Sequence, residues 1–291
     1  QCGGYAAVFE GGLRRKVCPP PLLRRRGGRA RDGKSFIARD WARGHGSLRR
    51  CAILSEGKEI SVLQEGAGED LVFLHGYLSS KESFTCQIKY FAKYYRVTAF
   101  DFIGFGKSAP LTEAWSVGDY AAFTERLLPQ LGVREGARLI AHSFGGRVAL
   151  KLLSERPKQF ARALLVGCAG IPPKRGFSYR CRVRAYRIAK KLAPRFAEKN
   201  FGSPEYRTLS PVMRESYKKI VNEDLTPCLE KICARTLYVF GEKDTATPLC
   251  MAEKLVQGTR GSALVVMPGC GHFCFCEDPA RFNAIAREFF R

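Results

Sequence analysis

A serine stands at an abrupt change of pattern in the segment RLIAHSFGGRVALKLL, residues 138–153. Residues suited to a buried strand lead into Ser143, and a helix-forming segment begins almost at once, with no loop between them. A hydroxyl on so tight a strand-to-helix turn is held out above the sheet, and the turn needs small residues two positions before and two positions after it. Ala141 and Gly145 occupy those positions, so the segment predicts an exposed serine that could act as a nucleophile.

A serine hydroxyl is a weak nucleophile until a neighbouring base accepts its proton. The chain has only four histidines, and His272 alone follows a late apolar run. An acid that holds the imidazole in the correct tautomer would complete such a group. Asp244 and Glu242 both follow another apolar run closely enough to serve, and the residues alone leave that choice open.

Residues 101–109, DFIGFGKSA, imitate two nucleotide-binding motifs. As a phosphate-binding loop the segment fails, because Asp101 replaces the first glycine and would place a carboxylate beside phosphate groups. As a dinucleotide fingerprint it fails because Pro110 follows and no helix begins before about Ser116. We therefore expect no nucleotide cofactor.

A cluster of cysteines surrounds His272 in the segment CGHFCFC, residues 270–276. Structural zinc sites use paired ligands two to four residues apart together with a second, distant pair, and the chain has no CxxC pair to complete one. We therefore expect no metal. The twelve cysteines are scattered, several within apolar segments, which favours reduced thiols in a cytoplasmic protein over a disulfide framework.

Short apolar runs alternate with amphipathic segments from residue 51 onward. Such runs are typical of strands that are covered on both faces, as in a parallel sheet. The runs are residues 71–75, 96–100, 138–142, 163–168, 236–240 and 263–268, and the helical segments are 83–93, 116–131, 145–156, 248–257 and 279–290. With a hairpin that turns at Glu56-Gly57, the pattern predicts an α/β fold, a mostly parallel twisted sheet with helices on both faces.

Residues 172–235 interrupt the alternation and are too long for an ordinary crossover, so we expect a helical cap insertion there. The insertion has 16 Lys and Arg against 6 Asp and Glu. Four of its basic residues share one predicted helical stripe: Arg180, Arg184, Arg187 and Lys191. A basic stripe beside an apolar one can contact an anionic membrane surface, although an ordinary solvated helix face explains the same pattern.

Residues 1–50 carry 13 of the 49 basic residues and only 3 acidic ones. Pro, Gly and Arg are interleaved there without helical or strand periodicity, which predicts a disordered leader outside the folded domain of residues 51–291. A non-native or appended segment is the favoured interpretation, with a polyanion-binding tail and a targeting peptide as alternatives. We expect no nucleic-acid partner, and no apolar run is long enough for a transmembrane helix.

Five segments, in this order, resemble the α/β-hydrolase superfamily over nearly all of residues 51–291: HGY, DFIGFGKS, AHSFGG, FGEKDTATP and GHFCFCEDPARFN. The resemblance implies an α/β-hydrolase fold with a triad of Ser143, Asp244 and His272, and it favours Asp244 over Glu242 by its spacing from the preceding glycine. It also implies an oxyanion hole formed by the backbone N–H groups of Tyr77 and Phe144.

The implied activity is hydrolysis of a carboxylic ester or related acyl compound through an acyl-serine intermediate. The sequence departs from the family's strict Gly-x-Ser-x-Gly pattern, since Ala141 replaces the first glycine. Relatives with an aspartate at the elbow, such as dehalogenases and epoxide hydrolases, are excluded by Ser143. The alternative is a small-ligand receptor or signalling protein, because some members of this superfamily keep the same three residues with little turnover.

Overall fold

One eight-stranded sheet forms the centre of the described chain. The computed structural model describes residues 49–172, Arg184, Tyr206 and 208–291. The strands are β1 (Arg49–Ser55), β2 (Lys58–Glu65), β3 (Asp70–Leu74), β4 (Arg96–Phe100), β5 (Ala137–His142), β6 (Phe160–Val166), β7 (Arg235–Gly241) and β8 (Ala263–Met267). Their order is β1-β2-β4-β3-β5-β6-β7-β8. β1 and β2 are antiparallel to their neighbours, and the strands from β4 to β8 pair in parallel. The predicted, mostly parallel sheet is therefore confirmed.

Helices follow most of the parallel strands, as the amphipathic segments predict. A 3-10 turn (Lys81–Phe84) leads into α1 (Thr85–Phe91). The other helices are α2 (Val117–Gln130), α3 (Phe144–Glu155), α4 (Pro211–Asn222), α5 (Thr226–Leu229), α6 (Leu249–Gly258), α7 (Cys274–Glu277) and α8 (Pro279–Phe290). Three of them begin where a side chain satisfies a free N–H group: Ser116 caps α2 within a capping box, Ser210 caps α4, and Asp278 caps α8.

Both faces of the sheet are covered. All five residues of β3 are buried, which explains its nearly continuous apolar sequence. One hydrophobic core lies between the sheet and the helices that include α2, α3 and α6. A second core lies between the opposite face and the helices α1 and α8. Because helices pack on both sides, the loops at the carboxyl ends of the strands remain available to position functional groups.

The predicted hairpin between β1 and β2 is confirmed. Glu56 and Gly57 both have positive φ angles, 51° and 72°, as a two-residue hairpin turn with the twist of the strands requires. β1 begins at Arg49, two residues before the predicted boundary of the folded domain, because Arg49 and Arg50 pair with residues of β2.

Two predicted regions lie wholly or mostly outside the described residues. The basic leader is described only from Arg49, and most of the predicted basic stripe falls in the undescribed part of residues 172–235. α4 and α5 lie in the described part of that predicted insertion. Among the described residues, no helix combines the length and the apolar character that a membrane crossing requires.

Candidate active site

The three residues with predicted chemistry all follow the carboxyl ends of strands on one side of the sheet. Ser143 comes directly after β5, Asp244 lies three residues beyond β7, and His272 lies five residues beyond β8. The strands β5, β6, β7 and β8 are consecutive neighbours in the parallel part of the sheet. Their loops therefore meet at one edge, where ligands of open α/β sheets bind.

Ser143 has a strained backbone. Its φ and ψ angles are 52° and −107°, in a region that residues with a side chain rarely adopt. Backbone hydrogen bonds from both peptide groups of the residue maintain this conformation. Ser143 N–H donates to Val166 O (3.1 Å), and Ser143 O accepts from Ala169 N–H (3.3 Å). This geometry fits the predicted turn that lifts a serine side chain above the sheet.

The glycines after Ser143 are required by close backbone approach. A Cβ atom at Gly145 would lie 2.3 Å from Leu74 O, and one at Gly146 would lie 2.7 Å from the sulfur of Cys168. Neither position can hold a larger residue without moving a strand or a buried side chain. Gly145 is the small residue that the sequence predicts at this turn, and Gly146 allows α3 to pack closely on the segment that follows β6.

Asp244 and His272 form a hydrogen-bonded pair. His272 Nδ1 lies 2.8 Å from Asp244 Oδ2, and the carboxylate side chain is completely shielded from solvent. The other carboxylate oxygen, Oδ1, accepts hydrogen bonds from the N–H groups of Ala246 and Thr247, each at 2.9 Å. Since a carboxylate can only accept, His272 must donate its Nδ1 proton, and Nε2 is then the ring nitrogen with a free lone pair.

Glu242, the other acidic residue of this turn, has a different partner. Its Oε2 accepts a hydrogen bond from the N–H of Gly269 at 2.8 Å, and the residue is exposed. Of the two acids that the sequence left open, the structure therefore brings Asp244 to the imidazole.

His75 fixes the direction of the peptide that precedes Tyr77. The N–H of Phe102 donates to His75 Nε2 (3.0 Å), so the ring carries its proton on Nδ1 and donates it to Gly76 O (2.8 Å). In a trans peptide the carbonyl and the following N–H point in opposite directions. Holding the Gly76 carbonyl against His75 therefore turns the Tyr77 N–H to the other side of the peptide.

The side chains of Tyr77 and Phe144 pack against each other. Their ring centroids are 5.6 Å apart at an interplanar angle of 88°. Phe144 is the first residue of α3, so its N–H has no partner within the helix. The Tyr77 hydroxyl donates to Met213 O of α4 at 3.2 Å, and its ring lies 5.2 Å from that of Tyr217 on the same helix. The loop after β3 is thus joined to α4.

Asp101 holds together the loop that resembles a nucleotide motif. Its carboxylate pairs with Lys81 Nζ at 2.7 Å, both side chains being buried, and accepts from the N–H groups of Lys81 and Lys107. A Cβ atom at Gly106 would lie 2.4 Å from this carboxylate. The buried carboxylate therefore occupies the centre of the loop.

The cysteines near His272 have separate surroundings. Cys274 is buried in the core, whereas Cys276 is exposed and its thiol donates to Ser83 O at 3.6 Å. Across the residues that the structure describes, no three His, Cys, Asp or Glu side chains are grouped as a metal site would require.

Two residues near the imidazole were not singled out from the sequence. His142 donates from Nε2 to the backbone carbonyl of His272 (3.0 Å), and their rings are 4.7 Å apart. Gly167, with φ of 51°, leaves space for the pair, because a Cβ atom there would lie 3.1 Å from the His272 ring and 3.4 Å from Asp244 Oδ2. No sequence signal indicated this role of Gly167, which lies inside the predicted apolar run 163–168, although β6 ends at Val166.

Burial holds both neighbouring histidines neutral. It lowers the pKa of His75 to about 4, although the carbonyl of Gly76 and the charge of Asp101 act in the opposite direction. Burial, followed by the proximity of His272, also lowers the pKa of His142 well below its ordinary value. Neither ring carries a charge near neutral pH.

These two shifts predict that the protein becomes less stable between pH 7 and pH 5. In the unfolded chain each histidine binds a proton below about pH 6.5, whereas the folded ring of His75 resists protonation until about pH 4. The unfolded state therefore gains protons first, and His75 alone lowers the free energy of unfolding by about 2 kcal/mol over this interval. Urea unfolding at several pH values measures the slope. A free energy that stays constant from pH 7 to pH 5 would contradict the prediction.

The chain resembles a protein-family profile, several curated proteins and several solved structures. The profile of the alpha/beta hydrolase family matches residues 71–285. The 2-hydroxy-6-oxo-6-phenylhexa-2,4-dienoate hydrolase of Comamonas testosteroni is 27% identical, over 78% of this chain and 90% of the relative. The 2-hydroxymuconate semialdehyde hydrolase of Pseudomonas sp. strain CF600 is 25% identical, over 81% and 92%. An esterase from Exiguobacterium antarcticum has the same fold, with a TM-score of 0.66 and 24% identity over 84% of this chain and 99% of the esterase.

Proposed function

This chain belongs to the alpha/beta hydrolase family and has its fold, and from that premise we propose that it is a serine hydrolase of carboxylic esters or related acyl compounds. Ser143 is the nucleophile, His272 the general base and Asp244 the acid that orients the imidazole. The single observation that carries the proposal is the 2.8 Å contact between His272 Nδ1 and the buried Asp244 Oδ2. Because Nδ1 donates its proton to Asp244, the Nε2 atom of His272 is left as the proton acceptor.

Each step of the reaction has a group to carry it. Ser143 Oγ attacks the acyl carbon while His272 Nε2 accepts its proton, and the imidazolium then gives that proton to the departing alcohol. The products of this half-reaction are the free alcohol and an acyl-serine. Water attacks the acyl-serine in the second half, with His272 again as base, and releases the carboxylic acid. Asp244 stays ionised and stabilises the imidazolium that forms in both halves.

The backbone N–H groups of Tyr77 and Phe144 are the proposed donors to the oxyanion. The hydrogen bond from His75 to Gly76 O supports this role, because it directs the Tyr77 N–H away from His75. The Phe144 N–H lies at the start of α3, where the positive end of the helix dipole also favours a developing negative charge. Two fixed donors of this kind lower the barrier without any reorganisation during the reaction.

The surroundings of the site favour an apolar substrate. Aromatic rings from the core and from α4 surround Tyr77: Phe105, Phe144 and Tyr217. Two of the four large hydrophobic side chains that are exposed in the described part of the chain, Leu78 and Phe273, directly follow Tyr77 and His272. Apolar groups at these positions suit an ester with an aliphatic or aromatic acyl group.

The proposal is tested by trapping and by turnover. We expect an organophosphonate to label the protein once per chain, with the adduct located by mass spectrometry on the peptide that contains Ser143. We also expect steady-state hydrolysis of short p-nitrophenyl esters beyond many turnovers per chain. The oxo-dienoate for which the Comamonas testosteroni relative is named is the comparison substrate.

The outcomes separate the function classes. Labelling of Ser143 with sustained ester turnover supports the hydrolase. Labelling with no turnover beyond one equivalent contradicts it and supports the small-ligand receptor. Preference for the oxo-dienoate over every ester would keep the nucleophile but make an oxo-dienoate, instead of an ester, the substrate class.

A further inference from the structure

We propose that the hydroxyl of Thr247 is a positioning group for the Asp244–His272 pair and sets the pH range in which His272 can act as a base. The inference rests on the proposed function, since it assigns a role to Thr247 in the same reaction. Thr247 Oγ1 donates to Asp244 Oδ2 at 2.7 Å and lies 3.4 Å from His272 Nδ1. Thr247 is 4% exposed, so water cannot easily replace its hydroxyl.

Thr247 completes the coordination of the carboxylate. An ionised carboxylate can accept about four hydrogen bonds. Asp244 has four: the N–H groups of Ala246 and Thr247 on Oδ1, and the hydroxyl of Thr247 together with the ring of His272 on Oδ2. Two of the four come from Thr247, one to each oxygen. The carboxylate therefore cannot rotate about its bond to the chain without losing a hydrogen bond that Thr247 supplies.

The hydroxyl also competes with the imidazole for the same oxygen. A donor at 2.7 Å withdraws negative charge from Oδ2, which weakens the attraction of Asp244 for the imidazolium of His272. Removing that donor would leave more charge on Oδ2 and stabilise the protonated ring. His272 would then keep its proton to higher pH, and the acidic limb of the activity profile would move upward.

Other titratable groups around the pair stay neutral over the useful range. His142, at the end of β5, contacts His272, and burial lowers its pKa well below the ordinary value. Cys274, in α7, lies near Asp244, and burial raises the pKa of its thiol to about 12. Neither group changes its charge between about pH 6 and pH 9. A change in the acidic limb therefore reports on His272.

The test compares Thr247→Val, which keeps the shape of the side chain and removes the hydroxyl, with Thr247→Ser, which keeps the hydroxyl. For Thr247→Val we expect kcat to fall about tenfold with KM unchanged within about twofold, because one hydrogen bond to a buried charge is lost. We expect its acidic limb to move to higher pH by about half a unit to one unit. Thr247→Ser restores both values.

Proton NMR gives a readout that does not need activity. Because the Nδ1 proton of His272 is hydrogen-bonded to a buried carboxylate, we expect it to resonate at low field, to change position in Thr247→Val and to return in Thr247→Ser. The matched control is Thr236→Val in β7, whose buried hydroxyl donates to Ala234 O within the strand end. This control should change neither the pH profile nor the resonance. If Thr247→Val does not fold, Thr247→Ala takes its place.

Two results would overturn the inference about Thr247. One is a Thr247→Val protein with the pH profile and the low-field resonance of the wild type. The other is a Thr247→Ser protein as impaired as Thr247→Val, which would indicate packing of the methyl group instead of the hydroxyl. A wild-type protein without hydrolase activity would instead contradict the proposed function, and the NMR comparison alone would then decide about Thr247.

Discussion

Replacing Ser143 by alanine is expected to lower kcat/KM for a p-nitrophenyl ester by roughly 10⁵- to 10⁶-fold, with no loss of the fold. The reaction needs an oxygen nucleophile at this place, and the backbone supplies no substitute. The positive φ of 52° is equally strained for serine and alanine, since both have a Cβ atom. The free energy of unfolding should therefore change by less than about 1 kcal/mol.

The matched control is Ser154→Ala in α3, the helix that follows Ser143. Ser154 donates its hydroxyl to Lys151 O inside α3, far along the helix from the turn, and its removal should leave kcat/KM unchanged. A Ser143→Ala protein that keeps more than about a tenth of the wild-type activity would exclude an acyl-serine intermediate at this residue.

Replacing Asp244 by asparagine is expected to lower kcat by about 10⁴-fold. The amide oxygen can still accept from Ala246 and Thr247, but the amide NH₂ group then faces His272 Nδ1. A donor at that position forces Nδ1 to become the acceptor, so the ring carries its proton on Nε2 and cannot accept one from Ser143. The loss comes from the wrong tautomer and should appear in kcat more than in KM.

Glu242→Gln is the control, because Glu242 is the other acid of this turn and its carboxylate accepts only from the Gly269 N–H among the hydrogen bonds described. Its kcat should stay within about threefold of the wild type. The assignment of the acid would be wrong if Glu242→Gln were the more damaging of the two changes.

Most strands were predictable because the parallel strands β3 to β7 are largely buried on both faces and therefore have short, nearly continuous apolar sequences. The predicted run at residues 96–100 coincides with β4. β6 begins at Phe160, three residues before the predicted start at Ala163, because Ala161 and Arg162 lie at the less buried strand end and interrupt the apolar pattern. The position of β4 between β2 and β3 depends on packing between distant segments, and no local pattern encodes it.

The sequence predicted candidate site residues at the strand ends and missed residues that contact them in the structure. Ser143 and His272 could be found because their chemistry and their place after apolar runs coincide. The contact of His142 with His272 spans 130 positions, and the space beside Gly167 exists only once the loops after β7 and β8 are assembled. Interactions of this kind are tertiary, so one sequence carries no signal for them.

The hydroxyl of Tyr77 joins α4 to the proposed oxyanion donor, since the side chain of this residue donates to α4 and its backbone N–H is the proposed donor. Changes in α4 that break this hydrogen bond would therefore also displace the proposed donor. A change in α4 would therefore alter both the substrate range and the turnover rate. Exchanging α4 with that of another family member should change the catalytic rate along with the selectivity.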